Sequence, residues 1–165
     1  MKSAVSRFAL SICLFVAVSA FGQTRGKFPF PKRVGDFRHQ STETTTRSHV
    51  DNGDTLRYLN IKALYTSSKD SLWIFLSRFA NEKASQLMMD RMVSNLRSQK
   101  GKYSGVNSDE VLGVPIYTTA EKGKAHFFFR NKEQIFWLAG PPDECYLFLK
   151  EFLEKTGLAK HAKGK

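Results

Sequence analysis

The fold of this chain is organised around residues 72–101, which read LWIFLSRFANEKASQLMMDRMVSNLRSQKG. The stretch opens with five consecutive apolar residues, which is typical of a strand that is buried on both faces. A helix signal follows, because Asn81 is a suitable N-cap and Gly101 a suitable residue for the helix end. Apolar residues recur between them at steps of three and four: Ala84, Leu87, Met88, Met92 and Leu96. Since such a strand needs cover on both sides, we expect this helix to pack against it.

The first 22 residues have the composition of a secretory signal peptide. Lys2 and Arg7 give a positive start, and residues 8–18 form an apolar run that is too short to cross a bilayer. Ala20 and Gly22 are small residues suited to a cleavage site just after Gly22, and cleavage after Ala20 is an alternative. The sequence therefore predicts export, with the mature protein periplasmic or extracellular.

Signal-peptide cleavage leaves about 143 residues, enough for one domain with one core. We expect a basic lead-in segment rich in Pro and Phe at residues 23–36, a single α+β domain at 37–156 and a basic tail at 157–165. The mature chain keeps one cysteine, Cys145, so it has no disulfide framework. Cys145 is in step with Leu149 on a predicted helix, which favours a buried free thiol over intermolecular pairing.

The formal net charge of +11 lies mostly at the two ends of the chain. Residues 23–39 and 155–165 each carry +4, whereas residues 40–154 hold fifteen basic and fourteen acidic residues. A nucleic-acid-binding domain concentrates basic residues on a face of the fold, so we do not expect nucleic acid as a partner. Basic tails are compatible with weak contact with an anionic membrane surface.

The remaining segments predict strands and a second helix. Residues 40–49 suit a solvated edge strand, Asn52-Gly53 a hairpin turn, and residues 58–65 a strand with alternating faces. Three runs joined by short turns predict an antiparallel meander: residues 111–117, 125–130 and 134–139. A last helix begins at Pro141-Pro142 and ends at Gly157. We therefore predict an α+β fold: one antiparallel sheet, element order β-β-α-β-β-β-α with an extra strand possible in front, and both helices packed on one face.

A resemblance to a known group of domains rests on four segments of the meander. These are Gly113-Val114-Pro115-Ile116, Gly123, Phe129-Arg130-Asn131 and Phe136-Trp137-Leu138. Together they resemble the meander of small exported bacterial domains of unknown function, some of which are similar in outline to the Mog1/PsbP-like fold. The resemblance covers about residues 55–155. It implies a non-catalytic accessory domain and supplies no functional residues.

The sequence contains no pattern that points to a catalytic, cofactor or metal site. No histidine is spaced for metal ligation from another histidine or a cysteine, and the chain has neither a nucleophile elbow nor a phosphate-binding loop. Met88 and Met92 could bind copper in an exported protein, but their shared apolar helix face favours core packing. We therefore expect no cofactor and no metal.

The meander carries aromatic residues on both faces, and two helices on one face would leave the other uncovered. We therefore expect an exposed apolar patch at Phe128 and Trp137, with His126 and Arg130 in step with Phe128 on the same strand. The first hypothesis is a non-enzymatic envelope protein that binds another envelope protein, or a second copy of itself as a homodimer, through this patch. The alternatives are a small hydrolase-like enzyme built around His126 or His49, and a binder of anionic surfaces that uses the basic ends.

Overall fold

The computed structural model describes residues 30–51, 54–98 and 103–159. These residues form one curled antiparallel sheet of eight strands and two helices. The strands are β1 (Arg33–Val34), β2 (Phe37–Asp51), β3 (Asp54–Thr66), β4 (Ser71–Arg78), β5 (Asn107–Val111), β6 (Val114–Glu121), β7 (Lys124–Asn131) and β8 (Gln134–Gly140). The helices are α1 (Glu82–Ser98) and α2 (Pro142–Thr156). Five sequence predictions lie wholly or partly outside the described residues: the signal peptide, residues 23–29 of the lead-in segment, the Asn52-Gly53 turn, the helix end at Gly101 and most of the basic tail.

The sheet is built from two sets of four strands, each followed by a helix. Its strand order is β1-β2-β3-β4-β8-β7-β6-β5, so β4 and β8 meet in the middle and β1–β2 and β5 lie at the edges. The predicted order β-β-α-β-β-β-α is therefore wrong. One strand that it omits is β5, where Asn107 to Glu110 are polar and exposed. The hydrogen-bonded ladder to β6 holds this strand in place, and no hydrophobic pattern marks it.

The two helices pack on opposite faces of the sheet, which corrects the prediction that both lie on one face. α2 packs on Phe127, Phe129 and Phe136, whereas α1 packs on Phe128 and Ile135. Because side chains alternate along a strand, these two sets point to opposite sides. Strands β7 and β8 are apolar on both faces, and one helix on each face buries both sets. We call the two sides the α2 face and the α1 face.

Helix α1 begins where the sequence predicts, but the residues on its buried side differ in part from the predicted ones. The Asn81 Oδ1 accepts a hydrogen bond from the Ala84 backbone N–H at 2.9 Å, which is the expected N-cap. Ser85 is fully buried, and its hydroxyl donates to the backbone carbonyl of Lys132 at 2.6 Å. Leu87 was expected on the buried side but is 40% exposed. The residues that α1 buries are Ser85, Met88, Met89, Val93 and Leu96.

Helix α2 closes the larger hydrophobic cluster of the described residues. It begins at Pro142, and it ends at Gly157, whose φ of 69° is the left-handed conformation that favours glycine. Cys145 is fully buried on this helix, in agreement with the sequence prediction. Buried residues from β1 to β8 complete the α2 face, and those that are fully buried include Val34, Ile61, Ala63, Tyr65, Leu72, Ile74, Leu76, Phe129, Phe136 and Leu138.

Candidate functional site

His126 and Trp137 are in contact on the α1 face of the sheet. The indole Nε1–H of Trp137 donates to the Nδ1 of His126 at 3.0 Å. An indole nitrogen can only donate, so Nδ1 carries the lone pair and the proton of the neutral ring is on Nε2. Burial lowers the pKa of His126, and the opposing effect of Glu121 is smaller. The geometry and the pKa both favour a neutral imidazole at pH 7.

Phe128 lies beside this pair and is covered by α1. Its ring stacks on Trp137, with 4.8 Å between the centroids, and it is fully buried. Only Trp137 of these two aromatic residues remains partly accessible. The expected exposed patch at Phe128 and Trp137 therefore does not form, because α1 occupies the face that was expected to be empty.

Arg130, the fourth predicted site residue, takes part in a different contact. Its Nη1 donates to the backbone carbonyl of Lys132 at 2.9 Å across the turn between β7 and β8. It also lines a cavity of about 280 Å³ together with Phe129 and Leu158. The structure thus brings three of the four predicted residues together, namely His126, Phe128 and Trp137.

The part of the α1 face that the helix leaves open lies over β3 and β4. α1 packs mainly on β7 and β8, and among the described residues neither hydrophobic cluster includes Leu64, Trp73 or Phe75. All three are half-buried, and they lie in neighbouring cross-strand rows because Leu64 pairs with Trp73 and Lys62 with Phe75. We call this surface, made of Lys62, Leu64, Trp73 and Phe75, the Trp73 patch.

Lys62 adds a positive charge to the Trp73 patch. Its Nζ lies 3.9 Å from the centroid of the Trp73 ring, a cation–π contact, and 4.0 Å from a carboxylate oxygen of Glu43. The lysine stem covers apolar surface while its ammonium group stays accessible. The patch therefore combines two aromatic rings, a leucine and a positively charged group, all held on adjacent strands.

The outer edge of β2 is a second exposed feature beside the Trp73 patch. β1 pairs with β2 only at Phe37 and Arg38, and no other described strand lies on that side. Residues 40–50 are all exposed, as expected for the solvated edge strand that the sequence predicts. Beyond Leu59, β3 pairs with β2 but not with β4, so the far end of this hairpin is a two-stranded ribbon.

The described residues offer little that supports catalysis. They contain no group of three or more His, Cys, Asp or Glu side chains placed to hold a metal ion. His39 Nε2 lies 2.7 Å from the Thr42 hydroxyl, but this pair is on the exposed edge strand, and aromatic rings rather than a carboxylate flank the imidazole. His49 is exposed on the same strand. Burial raises the pKa of Cys145 to about 12, so its thiol is a poor nucleophile.

Neither α1 nor α2 is long and apolar enough to span a membrane. Comparisons with models of known families, with curated proteins and with solved structures find no match.

The sequence does not predict the Trp73 patch, although all four of its residues lie in predicted strands. The alternation of β3 puts Lys62 and Leu64 opposite the buried residues Ile61 and Ala63, and this part of the signal was available. The position of Trp73 beside them depends on the register between β3 and β4, which is set by the cross-strand pairs and is not readable from either strand alone.

Proposed function

We propose that this protein is an exported, non-catalytic accessory domain of the cell envelope that binds another envelope protein through the Trp73 patch. The observation that carries the proposal is the half-buried group of Leu64, Trp73 and Phe75 on the open part of the α1 face, with Lys62 above the indole ring. Aromatic residues are enriched at protein–protein interfaces, and tryptophan is among the residues that most often carry their binding energy.

The chemistry of the patch also specifies the partner. Two aromatic rings and a leucine favour an apolar side chain on the partner, and burial of that side chain against the patch would exclude water from the indole of Trp73. The ammonium group of Lys62, which lies over the indole ring and 4.0 Å from a carboxylate oxygen of Glu43, favours a carboxylate beside the apolar residue of the partner. We therefore propose a partner that presents an apolar residue next to an acidic one.

Affinity capture from the envelope fraction of the producing cells tests this proposal. The mature chain is immobilised as the wild type, as Trp73→Ala, as Lys62→Glu and as Leu147→Ala, and the retained proteins are identified by mass spectrometry. Leu147 is 62% exposed on α2 and provides a control in which an exposed apolar residue is lost from another surface. We expect one protein to be retained by the wild type and by Leu147→Ala and to be lost from the other two variants.

Two results would contradict the proposal. The first is a set of retained proteins that is the same for all four chains, which would place binding elsewhere. The second is retention of no envelope protein by the wild type. Circular dichroism of each variant checks that the fold is kept, which we expect because Trp73 and Lys62 are only half-buried and lie outside the α2-face core.

A further inference from the structure

We infer that β2 pairs edge to edge with β2 of a second copy of the chain, forming a two-fold symmetric dimer with a continuous sheet. This inference goes beyond the proposed function, because it concerns a different surface and does not depend on a partner for the Trp73 patch. It rests on three observations: the length and chemistry of the open edge, the self-complementary spacing of its charges, and the two-stranded ribbon at the far end of the hairpin.

The two edges of the sheet differ in how they are protected against pairing. Native proteins protect exposed edges with short strands, charged residues, prolines or bulges. β5 has five residues, of which Asp109 and Glu110 are acidic and exposed. β2 has fifteen residues without a lysine or a proline, and its only register shift lies between His39 and Ser41. From Ser41 onward, β2 is a regular, exposed edge rich in β-branched threonine.

Symmetry limits how two such edges can pair. A two-fold axis normal to the sheet keeps each side chain on its own face, so the residues that face each other must both have odd or both have even numbers. The axis therefore passes between one residue of β2 and the same residue of the second copy. With the axis at Thr45, Glu43 faces Arg47 of the second copy, and the same pair forms again across the axis.

This register is the one in which the charges of the edge match. Shifting the axis to Glu43 or to Arg47 places like charges opposite each other, and shifting it to Thr44 or Thr46 leaves Glu43 and Arg47 unmatched. The axis at Thr45 also brings threonine or serine opposite threonine at the adjacent positions, and such pairs stabilise sheets. Nine residues of each strand then pair regularly, from Ser41 to His49, so the paired stretch stops short of the register shift.

The dimer would also support the weakest part of the sheet. The hairpin beyond Leu59 has only two strands, and a two-stranded ribbon is marginally stable in water. In the inferred register, residues 46–49 of one copy pair with residues 41–44 of the other, which are backed by β3 and β4. Each ribbon is thereby extended to a sheet of four or more strands. The two β4 strands, which carry Trp73, would lie about 24 Å apart, and the two Trp73 patches would face the same side of the sheet.

Sedimentation equilibrium of the mature chain, compared with charge-reversal variants, tests the inference. Glu43→Arg and Arg47→Glu each replace two attractive cross-strand pairs by repulsive ones, so each should raise the dimer dissociation constant about tenfold or more. The double variant restores complementary pairs with reversed polarity and should return to within about threefold of the wild type. Arg57→Glu is the matched control, because Arg57 is exposed on β3 of the same hairpin and does not lie on the open edge.

Several outcomes would overturn the inference. A wild type that stays monomeric at about 1 mM has no such dimer. A dimer that is insensitive to both single reversals, or that Trp73→Ala dissociates, uses another surface. A monomer that becomes a dimer after deletion of residues 23–29 would show that the chain's own N-terminal segment covers the edge. A dimer that weakens in both single variants, recovers in the double variant and ignores Arg57→Glu supports the inference.

Discussion

The α2 face of the sheet is closed from β3 to β6, whereas α1 covers the other face mainly over β7 and β8. The described residues of the α2 face are mostly buried apolar side chains, and the hydroxyl of the buried Tyr65 donates to the carbonyl of Pro31. The α1 face holds the His126–Trp137 hydrogen bond and the Lys62–Trp73 contact. The two faces differ in what they contribute. The α2 face supplies most of the buried apolar surface, and the α1 face carries the partly accessible polar and aromatic side chains.

The largest expected effect on stability comes from truncating a buried side chain on the α2 face. Phe152 is fully buried, with its ring centroid 6.0 Å from that of Phe136 and 5.9 Å from that of Phe148. Phe152→Ala should lower the free energy of unfolding by about 3–5 kcal/mol, because it removes a large buried ring and leaves a cavity. Urea denaturation measures this loss. Leu147→Ala on the exposed side of the same helix should change the free energy by less than about 0.5 kcal/mol.

The same measurement on Trp73→Ala sharpens the comparison between the faces. Trp73 is larger than Phe152 but only half-buried, so its truncation should cost clearly less than that of Phe152. A Trp73→Ala loss equal to the Phe152→Ala loss would contradict the view that the α1 face is open over β4.

The sequence predicts the buried residues and the helix ends better than it predicts the outer strands of the sheet. The alternation in β3 puts Leu59, Ile61, Ala63 and Tyr65 on one face. In the structure the last three are fully buried and Leu59 is half-buried. The helix boundaries at Asn81 and Gly157 follow from capping chemistry that is local to a few residues. β1 and β5 have no comparable local signal, since β1 has two residues and β5 is polar, and both depend on pairing with a neighbouring strand.

The face on which each helix packs is a long-range property, and its misassignment determined the error in the candidate site. The sequence shows that β7 and β8 are apolar on both faces, and one helix on each face satisfies both. Placing both helices on one face left Phe128 exposed in the prediction, whereas α1 buries it completely. The aromatic residue at the centre of the Trp73 patch lies two strands away from Phe128, on β4, where no local pattern distinguishes Trp73 from the buried residues Leu72 and Ile74 on either side.

A smaller effect is expected from loosening α1, the helix that closes part of the α1 face. Asn81→Ala removes the acceptor for the Ala84 N–H and should lower the free energy of unfolding by about 1 kcal/mol. Asn81→Asp keeps an acceptor oxygen at the N-terminus and should stay close to the wild type. Urea denaturation of the three chains measures the difference. Equal losses for Ala and Asp would mean that the cap hydrogen bond does not stabilise α1.

The smallest expected effect is a pH dependence that belongs to the α1 face alone. Burial lowers the pKa of His126 below its ordinary value of 6.5. As the pH falls, this imidazole is therefore protonated at a higher pH in the unfolded chain than in the folded chain. The stabilisation is fully present above about pH 6.5, declines as the pH falls below that value, and stops declining once the folded protein is itself protonated. Protonation also opposes the Trp137 hydrogen bond, because Nδ1 would then carry a hydrogen.

His126→Gln separates this contribution from that of the carboxylates, which titrate in a lower pH range. The glutamine oxygen can accept the bond from Trp137 but does not titrate near neutral pH, so the difference in unfolding free energy between about pH 7.5 and pH 5.5 should shrink in this variant. Phe152→Ala, which acts on the α2 face, should lower stability equally at both pH values. The fluorescence of Trp137, isolated by Trp73→Phe, gives an independent readout, because it should change with pH in the folded wild type and stay constant in His126→Gln. An unchanged pH dependence in His126→Gln would contradict a neutral, half-buried imidazole with a lowered pKa at this position.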